Sequence, residues 1–144
     1  MKQTWLHAQR AIVGDGRTVI SPAWVGFEGK YITCVTDKQP PEATPDCTVE
    51  LGSATLTPGL MNIHDHISRK SLRFPAPGKT FGQCATELMA HDQTYLILHS
   101  YNNMMHYLTD EGITYVRDQG LTGYTCIELR RAIDDGVVQG PYIS

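Results

Sequence analysis

The chain has 144 residues, 41% hydrophobic and 19% charged, with a formal net charge of −3. That length suits one domain burying roughly 68–70% of its unfolded surface, and the composition excludes an intrinsically disordered chain. Acidic and basic residues are interspersed, without the basic stripe that a nucleic acid or an anionic membrane would require, and no apolar run nears the ~18–20 residues of a membrane span. The N-terminus, Met1-Lys2-Gln3-Thr4-Trp5-Leu6-His7, lacks the apolar stretch of a secretory signal. Cys34, Cys47, Cys84 and Cys126 form no CxxC pair. Reduced thiols and a cytoplasmic location are therefore expected.

Residues 1–56 read as short strands separated by turns. Thr4–Val13 runs as a strand into the turn signal Gly14-Asp15-Gly16. Ala23–Phe27 and Tyr31–Val35 flank Glu28-Gly29-Lys30 in the manner of hairpin partners. The loop Gln39–Pro45 is too rich in proline to be a strand, and Cys47–Leu51 and Ala54–Thr57 supply two more short ones. A small all-β module is expected here.

The pattern then changes. Thr57-Pro58-Gly59-Leu60-Met61-Asn62-Ile63-His64-Asp65-His66 is an apolar strand leaving a Pro-Gly turn and ending in two histidines. Side chains alternate faces along a strand, so His64 and His66 share one face and Asp65 takes the other. Ser68–Gly82 reads as a long loop carrying Arg69, Lys70, Arg73 and Lys79 and no acidic residue. Helix is expected from about Gln83 to Thr109, with Ala90, Ile97, Tyr101, Met104, Met105 and Leu108 as its apolar stripe and Gly112 just past its end. Ile113–Asp118 is a β-branched strand, Tyr124–Gly136 a second helix, and Tyr142 begins a third strand after Gly140-Pro141. The order β-α-β-α-β over residues 57–144 implies an α/β architecture with parallel strands and helical crossovers. Such units build either a doubly wound sheet or a (β/α)8 barrel. A barrel is favoured because His64, His66 and Asp118 all sit at C-terminal strand ends, where barrel function collects.

Two imidazoles side by side can bind one divalent cation through neutral ring nitrogens, so His64 and His66 are candidate metal ligands. Asp118, next to Gln119-Gly120, is expected to accept a hydrogen bond from a ligand imidazole or to organise its loop. His91, Tyr95, His99 and His106 fall on neighbouring helical angles and read as a polar stripe. His91 and His99 would stand about 12 Å apart along a helix, too far to share an ion. The basic loop is either plain solvated surface or, with Arg69 and Arg73 over a barrel mouth, a means of steering an anionic substrate. The cysteines carry no sign of an activated nucleophile.

These residues resemble a family. The stretch Thr57–His66 is similar to the "TPGLID-H-H" signature that opens the barrel of the metal-dependent amidohydrolase superfamily. Glu111–Gly120 resembles its "G-TTVRD-G" second strand, and Arg130–Gly136 with Gln139–Ile143 its "AI-G--GPR" approach to the third. Phe27–Val35 looks like the hairpin of that family's N-terminal strands. The combination points to the branch of imidazolonepropionase-like enzymes and Xaa-Pro dipeptidases. Asn62 stands where the signature has aspartate and Tyr142 where it has arginine.

The resemblance implies residues 1–56 as the N-terminal part of a composite β-sandwich and 57–144 as the first βα units of a TIM (β/α)8 barrel. It also implies hydrolysis of a C–N bond in a small-molecule substrate by metal-activated water, with one or two divalent ions, zinc as a rule. His64 and His66 would be ligands of the more buried ion. The family's lysine or glutamate at strand four, histidines at strands five and six and aspartate base at strand eight have no counterpart, since no lysine follows Lys79 and no histidine follows His106. No catalytic residue is therefore expected within the chain, which reads as an N-terminal fragment, inactive alone and completed by the missing barrel half or by a homo-oligomer. Two readings from other classes compete: a non-catalytic α/β module, and a degenerate remnant acting through protein–protein contact.

Overall fold

A computed structural model describes residues 3–69, 76–120 and 123–144, with only the backbone of Arg69. It is a mixed α/β structure that divides into two units, Met1–Pro58 and Gly59–Ser144. Among its described residues the first unit holds seven strands: β1 (Thr4–Ala8), β2 (Arg10–Ile12), β3 (Val19–Ile20), β4 (Ala23–Glu28), β5 (Tyr31–Thr36), β6 (Thr48–Glu50) and β7 (Thr55–Leu56). They form two sheets, ordered β5-β4-β1-β6 and β3-β2-β7. The expected hairpin is present as antiparallel β4 and β5. The single strand expected over Thr4–Val13 is instead two, because β1 pairs with β4 and β6 whereas β2 pairs with β3 and β7. Between them Gln9 leaves both ladders and its N–H donates to the Gly52 carbonyl at 2.9 Å. Trp5, Trp24 and Ala43 pack as one core, and Ala11, Ala23 and Val25 as a second, joined by Leu6, Ile20 and Leu56.

The second unit contains β8 (Leu60–Asp65), a 3-10 turn at Ile67–Arg69, α1 (Phe81–Met89), α2 (Gln93–Asp110), β9 (Ile113–Asp118), α3 (Thr125–Asp134) and β10 (Tyr142–Ile143). Its strands are parallel in the order β10-β9-β8. Gly59 sets the start of β8: a Cβ there would lie 2.0 Å from Thr114 Oγ1, so only glycine lets the two strands approach. Ile67, Met104, Tyr107, Val116, Leu129 and Ile143 form the core between sheet and helices.

Two expectations change. The helix expected over residues 83–109 is two helices, since Asp92 caps a new one by accepting from the Tyr95 N–H at 2.8 Å. Thr80 and Gln83 form a reciprocal capping box that starts α1 earlier, at Phe81. Ala90 ends α1 and is exposed rather than part of an α2 stripe. The buried face of α2 is Leu96, Ser100, Asn103, Met104 and Tyr107, with Ile97, Tyr101, Met105 and Leu108 only half-buried. Two polar residues thus occupy positions that a hydrophobic pattern assigns to water.

Candidate metal centre

β8 and β9 end level with each other, with Asp65 opposite Asp118 in the register. A carboxylate therefore stands at each strand end, and each organises backbone. Asp65 accepts from the His66 N–H at 2.6 Å, from Asn62 Nδ2 at 2.6 Å and from the Tyr107 hydroxyl. Burial, and then this bond to Asp65, push the Tyr107 phenol well above its usual range. Asn62 also accepts from the His64 N–H at 3.3 Å, so its amide works both ways, as an aspartate could not.

Asp118 accepts from the Ile67 N–H through Oδ1 and from the Gly120 N–H and Cys126 thiol through Oδ2, each at 2.8 Å. Burial, and then the Asp118 carboxylate, raise the Cys126 thiol far above its ordinary value, so it remains protonated. Among the described residues no imidazole donates to Asp118. That part falls to Gly120, whose carbonyl lies 3.0 Å from His66 Nδ1. Gly120 reaches both partners from a positive φ of 81°, a conformation glycine adopts without strain. Sequence reasoning missed Gly120 because a carbonyl has no residue-type signature; the adjoining Asp-x-Gly was the available signal.

His64 is exposed and His66 half-buried, with ring centroids 5.7 Å apart and planes at 82°. Two imidazoles on one tetrahedral ion, with Zn–N of ~2.0–2.1 Å, hold their centroids about 5 Å apart, close to the 5.7 Å of this pair. A His66 Nδ1–H donating to the Gly120 carbonyl leaves Nε2 as a lone pair for an ion, the usual arrangement of a ligand imidazole. The residues present fit two ligand positions. Among the described residues no group of three or more His, Cys, Asp or Glu is placed to hold a metal.

The other sequence candidates lie apart. His91, just before α2, stacks on Tyr95 and Tyr95 on His99, with centroids 4.0 and 5.7 Å apart, and His106 pairs with Asp110 at 2.8 Å. Lys79 is not a free cation over the strand ends, for its ammonium lies 2.6 Å from Glu87, whose hydrogen bond raises its pKa. Lys70, Arg73 and the side chain of Arg69 fall outside the described residues. No helix among the described residues is long and apolar enough to cross a membrane.

No family model matches the sequence, and no curated protein matches it. Solved structures do share its fold. A Xaa-Pro dipeptidase with methionine bound in its active site is 24% identical with a TM-score of 0.69, over 98% of this chain and 32% of that one. The ochratoxinase of A. niger is 24% identical with a TM-score of 0.69, over 99% and 30%. Molinate hydrolase is 18% identical with a TM-score of 0.75, over 99% and 29%. The chain thus spans about 30% of the length of these structures, and over that span its fold is theirs.

Proposed function

We propose that this chain forms the opening of a metal-dependent amidohydrolase: the N-terminal strands of a composite β-sandwich followed by the first βα units of a (β/α)8 barrel. His64 and His66 ligate a divalent ion, with zinc expected from the all-imidazole donor pair. The reaction is hydrolysis of a C–N bond in a small amide, cyclic amide or dipeptide. When bound, the ion supplies Lewis acidity, activating a water and polarising the scissile carbonyl. Gly120 holds the His66 ring with Nε2 free, Asp118 holds Gly120, and Asp65 with Asn62 fixes the backbone between the two histidines.

The bond from His66 Nδ1 to the Gly120 carbonyl carries this reading, because it prepares a ligand tautomer before any ion arrives. The exposed apolar side chains of edge strand β8, with Leu60, Met61 and Ile63 57%, 62% and 67% accessible, support a barrel reading in which further βα units continue the sheet. Any further ligands, the general base, and a substrate role for Arg69 and Arg73 belong to that proposal. The test is a zinc titration of the chain against His64→Ala and His66→Ala. Weak wild-type binding that either substitution abolishes is expected, since two imidazoles are fewer than the three protein ligands of a typical catalytic zinc. Equal affinity in all three chains removes the ligand assignment and leaves the non-catalytic α/β module.

A further inference from the structure

Ser100 and Asn103 are fully buried on α2, three residues apart and so on one face of the helix. Asparagine is a poor helix former, and burying its amide forfeits hydration, so a leucine would suit this place better unless the amide holds something. It does. Asn103 Nδ2 donates to the Ile67 carbonyl at 2.7 Å. The N–H of the same Ile67 donates to Asp118 Oδ1 at 2.8 Å. The residue after His66 is therefore clamped through both of its main-chain polar groups, by a helix on one side and by a strand end on the other. The Ile67 side chain is itself fully buried in the core, so this turn has little room to rotate. Asn103 Oδ1 and Ser100 Oγ have no partner among the described residues, and the Ile67 bond alone therefore anchors the Asn103 amide there.

We propose that Asn103 is a positioning residue for His66, fixing the following peptide so that the imidazole meets the Gly120 carbonyl through Nδ1. The proposal rests on the reading of His66 as a metal ligand. Without the clamp the turn after β8 relaxes, the ring leaves Gly120 for part of the time, and Nε2 is then protonated in part of the population. A purely structural asparagine would change stability and leave the imidazole as it was.

The test compares wild type, Asn103→Leu and His66→Ala by two readouts: the ¹⁵N spectrum of His66 in the metal-free chain, with the imidazole neutral, and a zinc titration. Asn103→Leu is expected to convert a single Nδ1–H pattern into a mixture and to weaken zinc by roughly tenfold, the scale of a lost supporting contact. An unchanged His66 spectrum and unchanged zinc affinity in Asn103→Leu overturn the proposal while His66 stays a ligand. Zinc binding equal in wild type and His66→Ala instead overturns the ligand reading, and the His66 spectrum still judges Asn103. If Asn103→Leu does not fold, Asn103→Ser, which is smaller and falls short of the Ile67 carbonyl, is read by the same two measurements and the same criteria.

Discussion

The two units solve the interior problem differently. Among the described residues, the buried polar side chains Ser68, Ser100, Asn103 and Thr125 all belong to residues 59–144, while the interior of the first unit is tryptophan, alanine and valine. Polar side-chain contacts of the first unit are exposed or half-buried: His7 reaches the exposed Glu50 at 2.7 Å while its ring stacks on Trp24 at 4.0 Å, and Thr33 Oγ1 donates to the Gly26 carbonyl at 3.1 Å. Among the described residues, the buried side chains of the first unit are held by apolar packing. In the second, strand ends and helix are tied by hydrogen bonds that an apolar core could not supply, and these ties surround the two histidines. Preorganised ligands need such support, because a loosely held imidazole loses affinity with no change in its identity.

Trp5→Ala breaks the first side of this contrast most severely. Truncating a buried tryptophan is expected to destabilise by about 3–5 kcal/mol in urea denaturation. Trp5→Phe, which also removes an indole N–H without a partner among the described residues, costs less. Asp118→Ala tests the second unit, since it strands the Ile67 and Gly120 N–H groups and the Cys126 thiol at once. A loss of about 3 kcal/mol is expected from hydrogen bonds to a carboxylate, together with a displaced His66 resonance. A stability loss within 1 kcal/mol of zero by the same denaturation would mean the strand ends are not held as described.

A smaller effect is expected from Gly59→Ala, about 1–3 kcal/mol from forcing β8 away from Thr114, with Thr114→Gly in the same chain recovering part of it. The mildest concerns the exposed turn at Asp15, whose carboxyl is lowered from 3.8 to about 2, chiefly by the Thr18 hydroxyl and then by the N–H groups of Thr18 and Arg17. A depressed folded value means the contribution is fully present above 3.8 and lost as pH falls through about 2. Amide exchange at Arg17 and Thr18 should quicken only in that window; Asp15→Asn should abolish the dependence.

Much of the fold was legible because periodicity is a local property. Ile113–Asp118 and the β4–β5 hairpin announce themselves by alternation and turn residues, and the parallel order follows from helices placed between strands. The break at residues 90–92 was not read, because apolar spacing runs across it and Asp92 is visible as a cap only if a helix start is sought there. Asn103 was hidden for a deeper reason. A polar residue on an amphipathic helix is assigned to water, and only the position of the Ile67 carbonyl shows otherwise. The meeting of His64 and His66 at one strand end was plain from their spacing, whereas the Gly120 carbonyl that holds one of them belongs to a different crossover.

One consequence of the first unit's core is optical. Both tryptophans of the chain, Trp5 and Trp24, are buried within it, and residues 59–144 contain none. Indole emission during unfolding therefore watches the first unit alone, while far-ultraviolet dichroism is dominated by helices α1, α2 and α3 of the second. Coincident curves would show that the two units melt as one. Separated curves would give each its own midpoint from a single sample, with no label introduced.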